Sequence, residues 1–106
     1  MSQSPKTPSV AVWVHWIPYA QGGKKTLPQD HLYYVVTEAL PCTLPDPCAW
    51  SLVLAITEND DAADEHRYGV GYAHFLMDNA PSALLISGFT VAIYEGPHKV
   101  GLVEVI

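Results

Sequence analysis

No stretch of this chain carries the apolar spacing of a capped helix. Short β-branched and aromatic runs recur instead, bounded by proline, glycine or acidic residues, and that pattern restricts the chain to an all-β fold. Residues 10–17 (VAVWVHWI) end at Pro18. Residues 31–38 (HLYYVVTE) follow a loop built round Gly22 and Gly23, and residues 50–57 (WSLVLAIT) follow a proline-rich connection. In the first run Val10, Val12, Val14 and Trp16 share one face, while Ala11, Trp13, His15 and Ile17 share the other. In the third, Trp50, Leu52, Leu54 and Ile56 alternate strictly. A fourth strand is expected over residues 67–77, where Gly69 and Gly71 fall on one face and suggest a bulge or the close approach of another backbone. Residues 83–86 fit a strand or one helical turn. Residues 89–94 and 100–106 alternate across EGPHK, the plainest hairpin signal in the chain.

Five to seven strands in 106 residues predict a small antiparallel barrel or sandwich. It forms one domain over residues 10–106, after a flexible N-terminal arm of residues 1–9 that bears Pro5 and Pro8. Hydrophobic residues make up 49% and charged residues 15%, a composition that excludes a disordered chain. Eleven acids against five lysines and arginines give a net charge of −6, which argues against a broad phosphate-binding surface. No uncharged apolar run approaches the roughly 18 residues of a membrane span. The opening MSQSPKTPS is polar, unlike a secretory signal, so no membrane role and a cytoplasmic location are expected.

Three features in order resemble the C-terminal (third) β-barrel domain of elongation factor Tu. An opening strand leads to a Gly-Gly-basic loop, Gly22, Gly23, Lys24, Lys25 and Thr26. An aromatic strand follows over residues 31–37. The terminal hairpin runs through Glu95, Gly96, Lys99, Val100 and Gly101 into an alternating apolar strand. The resemblance covers nearly all of residues 10–106 and implies a closed antiparallel Greek-key barrel of about six strands. It also implies a tRNA-side loop at Lys24 and Lys25. The proline-rich PCTLPDPC and the acidic residues 58–65 stand as additions to that pattern.

The chemistry-bearing motifs are few. GGKKT lacks the upstream glycine of a phosphate loop, and Pro28 follows it rather than a helix. Cys42 and Cys48 read as free thiols, with a disulfide closing their loop as the alternative; a zinc site with His31 would need ligands that the spacing does not supply. Residues 58–65 carry Glu58, Asp60, Asp61, Asp64 and Glu65 without the order of a calcium loop, and read as an exposed acidic loop. The five histidines accompany no nucleophile elbow and no His-Glu-x-x-His helix. Three tryptophans and six tyrosines exceed what a small barrel interior holds, and Trp13 and Trp16 lie on opposite strand faces, so one of them points outward.

These observations predict a non-enzymatic binding module with no cofactor and no metal. It would recognise a protein partner through an aromatic surface at Trp13 or Trp16 and an acidic loop with Asp60, Asp61, Asp64 and Glu65. One alternative is a tRNA- or RNA-binding accessory of translation acting through Lys24 and Lys25, disfavoured by net charge. Others are a small acidic immunity-type inhibitor, and a small metal protein or enzyme using the histidines and Cys42 or Cys48.

Overall fold

The computed structural model describes residues 9–29, 32–40 and 48–106. The expected arm up to Pro8, His31 and most of PCTLPDPC lie outside the described residues. Six strands follow the apolar runs: β1 Val10–Trp16, β2 Leu32–Thr37, β3 Ser51–Asp60, β4 Tyr68–Phe75, β5 Thr90–Glu95 and β6 His98–Val105. All pairings are antiparallel and close in the order β1-β4-β3-β2-β5-β6. Strands β2, β3 and β4 form a meander, and β1 lies beside β4 after a long connection, which is a Greek key. The expected small closed barrel is therefore the fold.

The period-two pattern explains which side chains fill it. Val12, Val14 and Trp16 from β1, Leu52, Leu54 and Ile56 from β3, and Ala73 and Phe75 from β4 meet Val91, Ile93, Val103 and Val105 inside, all almost fully buried. Each valine, leucine, isoleucine or phenylalanine among them contributes about 1.5–3 kcal/mol by leaving water. The seam is narrowest between β2 and β5, which pair only at Val36 with Tyr94 and Thr37 with Ile93. Glu38 extends it: its N–H donates to Ala92 O at 2.9 Å, and its carboxylate accepts the Ala92 N–H at 2.7 Å.

Two differences from the sequence expectation matter. First, β3 does not end at Thr57. It continues to Asp60, with a bulge between Ile56 and Glu58, so residues 58–60 are strand rather than loop. Strict alternation from Ile56 would point Glu58 and Asp60 into the barrel. The extra residue at Thr57 reverses the phase, so both pair with outward-facing residues of β4. Gly71 faces this bulge: a Cβ there would stand 2.1 Å from Ala55 O. Second, the terminal hairpin is tighter than EGPHK suggests. Glu95 pairs with His98, leaving Gly96 (φ 60°) and Pro97 as the turn, and a second bulge follows Ile93. Of residues 83–86, the first two belong to a 3-10 turn, Ser82–Leu84, and Leu85 caps it.

Cys48 is disulfide-bonded, and among the described residues no cysteine is free. This corrects the free-thiol expectation. Cys48 also exchanges backbone hydrogen bonds with Leu40 at 2.7 and 3.1 Å, which holds the far end of the proline-rich connection against the end of β2.

Candidate interaction surface

The outer wall over β2, β3, β4 and β1 is a grid of cross-strand rows. Glu58, Val70, Trp13 and Glu104 form one row, and Asp60, Tyr68, His15 and Leu102 the next. On the other side of the first row lie Leu32, Ala55, Tyr72 and Ala11. The alternation that buries Gly69, Gly71 and Ala73 puts Tyr68, Val70 and Tyr72 outside. Trp13 (38% exposed), Leu32 (57%), Tyr34 (55%) and Tyr72 (53%) leave this wall apolar and open to solvent. That is far from the scattered single hydrophobic groups of an ordinary surface.

Trp13 and Tyr68 pair at its β1–β4 end, with ring centroids 5.2 Å apart and planes inclined by 53°. A cleft opens on each side of the pair. One is lined by His15, Glu65, His66, Arg67 and Glu104. The other is lined by Glu58, Asp60, Asp61 and Val70. In the first, His15 Nε2 meets Glu104 Oε1 at 2.9 Å, so that carboxylate already has a partner. In the second no lysine or arginine is present among the described residues.

The residues expected to form the site divide. Trp13 points outward and anchors the wall. Trp16 does not: it is 4% exposed, inside the barrel, with Nε1–H donating to Asn59 Oδ1 at 2.8 Å. Asn59 in turn donates to Pro28 O at 2.8 Å. A buried indole needs such an acceptor, so Trp16 is a core residue, and only its edge reaches the wall of the first cleft. Asp60 and Asp61 line the second cleft and Glu65 the first.

Asp64 turns back toward the barrel. Its carboxylate accepts the N–H groups of Tyr19 (2.8 Å) and Ala20 (3.1 Å). The bond from Ala20, then that from Tyr19, holds its pKa below the usual carboxylate range, with Arg67 adding to the effect. Arg67 itself is 5% exposed. It donates from Nη1 to Lys24 O at 2.7 Å and from Nη2 to Ile17 O. Its Nε lies 3.5 Å from Asp64 Oδ1, an ion-pair distance without a hydrogen bond. Arg67 thus clamps the end of β1, the Gly-Gly loop and the acidic turn together.

Lys24 is also engaged internally. Its Nζ lies 3.0 Å from Glu95 Oε2 and 5.5 Å from the Tyr33 ring centroid. Tyr33 O–H donates to the same Glu95 oxygen at 2.6 Å. That bond, followed by the one from Lys24, holds the Glu95 carboxyl below its ordinary range. Burial, reinforced by Glu95, pushes the Tyr33 phenol up. Lys25 stays exposed, which leaves one uncommitted cation where the RNA-binding reading needs two.

Sequence reasoning missed Tyr68, Val70, Tyr72, Leu32 and Tyr34 as surface residues, although the glycine phase of β4 implied three of them. It also missed Arg67, because a lone arginine in a strand-like run carries no signal of burial. Among the described residues no helix is long and apolar enough to cross a membrane, and no group of three or more His, Cys, Asp or Glu could hold a metal ion. No protein-family model, curated protein or solved structure matches the chain.

Proposed function

We propose that this protein is a non-enzymatic binding module whose outer wall over β2, β3, β4 and β1 docks a protein partner. The observation that carries this reading is the half-exposed Trp13–Tyr68 pair, set in an apolar wall and bordered by carboxylates. An aromatic anchor with a charged rim has the composition of a protein-binding centre. Among the described residues Glu58, Asp61 and Glu65 have no ion-pair partner, so the rim's charge is available for steering a basic partner. In this reading the likeness to the third barrel of elongation factor Tu is one of architecture, with a different partner. The internal pairing of Lys24 with Glu95 supports that choice. The disulfide at Cys48 weighs against the cytoplasmic expectation, because reducing compartments keep thiols reduced.

The test is affinity capture from the source organism at moderate salt, comparing the wild type with Trp13→Ser, Tyr72→Ser. Trp13 gives up its ring contact with Tyr68, so circular dichroism first confirms that the variant is folded. The reading expects a stoichiometric protein that the variant fails to retain. Capture unchanged by the two substitutions, or recovery of RNA that washes off as salt rises, would overturn it.

A further inference from the structure

The partner's chemistry can be read from the second cleft, an inference that rests on the docking wall proposed above. Glu58, Val70 and Trp13 occupy one cross-strand row, and Asp60 and Tyr68 lie in the next. Adjacent strands are about 4.8 Å apart, so β3, which bears Glu58 and Asp60, runs about 10 Å from Trp13 on β1, with Val70 and Tyr68 of β4 as the floor between. The cleft has a volume of about 450 Å³. A bare divalent cation needs several oxygens at about 2.0–2.6 Å, and no such group exists among the described residues. The shape and charge instead fit an elongated cation with an apolar stem.

We propose that an arginine side chain of the protein partner occupies this cleft. Its stem lies over Val70 against the Trp13–Tyr68 pair, and its guanidinium reaches Glu58, Asp60 and Asp61. Arginine fits better than lysine for three reasons. Its planar fork serves two carboxylate oxygens at once, it stacks on aromatic faces, and it is less strongly hydrated than an ammonium. Asp60 has one oxygen committed to the Ala62 N–H at 3.1 Å, so Glu58 and Asp61 carry most of the recognition. The first cleft is the poorer receptor for a cation. There His15 already meets Glu104, and Arg67 forms part of the wall.

The experiment is calorimetric titration of the full chain with capped arginine and lysine hexapeptides at low and moderate salt. The arginine peptide binds in both conditions, and the lysine peptide binds several-fold more weakly. Trp13→Ala weakens the arginine peptide by about fourfold, the scale of a stem methylene returned to water. Glu58→Gln with Asp61→Asn abolishes the preference for arginine over lysine. Glu38→Gln with Asp78→Asn, the same charge change elsewhere, leaves affinity within twofold; circular dichroism confirms that every variant is folded. Absence of arginine binding, or equal losses from the cleft pair and the remote pair, would overturn the proposal. If either happens while the Trp13/Tyr72 variant still loses its captured protein, the docking wall stands and the arginine reading alone falls.

Discussion

Replacing Gly71 by alanine tests how the surface is built. An ideal Cβ at this position stands 2.1 Å from Ala55 O and 2.9 Å from both Ala55 C and Ile56 Cα. All three atoms are backbone, so no side chain can swing away. An ordinary contact needs more than 3.4 Å, so β3 and β4 must part by roughly an ångström just before the bulge. Overpacking of this kind costs about 1–3 kcal/mol. A strained or broken ladder hydrogen bond adds about 1–2 kcal/mol where the groups cannot reach water. The expected loss is therefore about 2–5 kcal/mol, a large share of the roughly 5–15 kcal/mol that holds a domain together. Urea unfolding followed by circular dichroism reads it as a lower midpoint at an unchanged slope. Gly96→Ala is the comparison: φ there is 60° and nothing lies within 4 Å of its Cβ, so its cost is conformational, about 1 kcal/mol. A Gly71→Ala protein within about 0.5 kcal/mol of wild type, the scale of an ordinary surface change, would refute the claim that the Ala55 backbone leaves no room for a side chain here.

Three further outcomes follow from the same geometry. Trp16→Phe keeps an aromatic ring in the core but leaves a small void and deprives Asn59 Oδ1 of its 2.8 Å donor, so urea unfolding should show a loss of about 2–3 kcal/mol. Asp64 has a folded pKa below its unfolded value, so its stabilising contribution is present above about pH 4 and disappears as pH falls through the folded pKa; the stability gap between wild type and Asp64→Asn should narrow over that acid range in urea unfolding. Thiol titration of the denatured, unreduced protein should find no free thiol, since Cys48 is disulfide-bonded.

The barrel was legible because its inward residues obey a two-residue period. Val12, Val14 and Trp16 could be placed from the sequence, as could Leu52, Leu54 and Ile56. Period fails where a bulge intervenes, and that is where the candidate surface begins. Counting on from Ile56 points Glu58 and Asp60 at the core, a position no unpaired carboxylate tolerates, so the segment reads as a loop. Only Gly71, seen against the Ala55 carbonyl, shows that the strand slips a residue and continues. Trp13 and Trp16 show the converse. Alternation put them on opposite faces, but choosing the outward one required the neighbours: Asn59 to accept from the Trp16 indole, and Tyr68 to stack on Trp13. Arg67 was beyond reach because its partners, Ile17 O and Lys24 O, are backbone atoms some 50 and 43 residues distant. Sequence types cannot announce carbonyls.

The central claim is that a protein partner docks on the wall around Trp13, and the most direct measurement is site-specific photo-crosslinking in the source organism. A benzophenone amino acid is placed at Trp13 in one protein and at Pro97, on the exposed tip of the terminal hairpin, in another. The account predicts one dominant protein adduct from position 13, absent from position 97, whose crosslinked segment contains arginine. Equal adducts from both positions, or none from position 13, would contradict it.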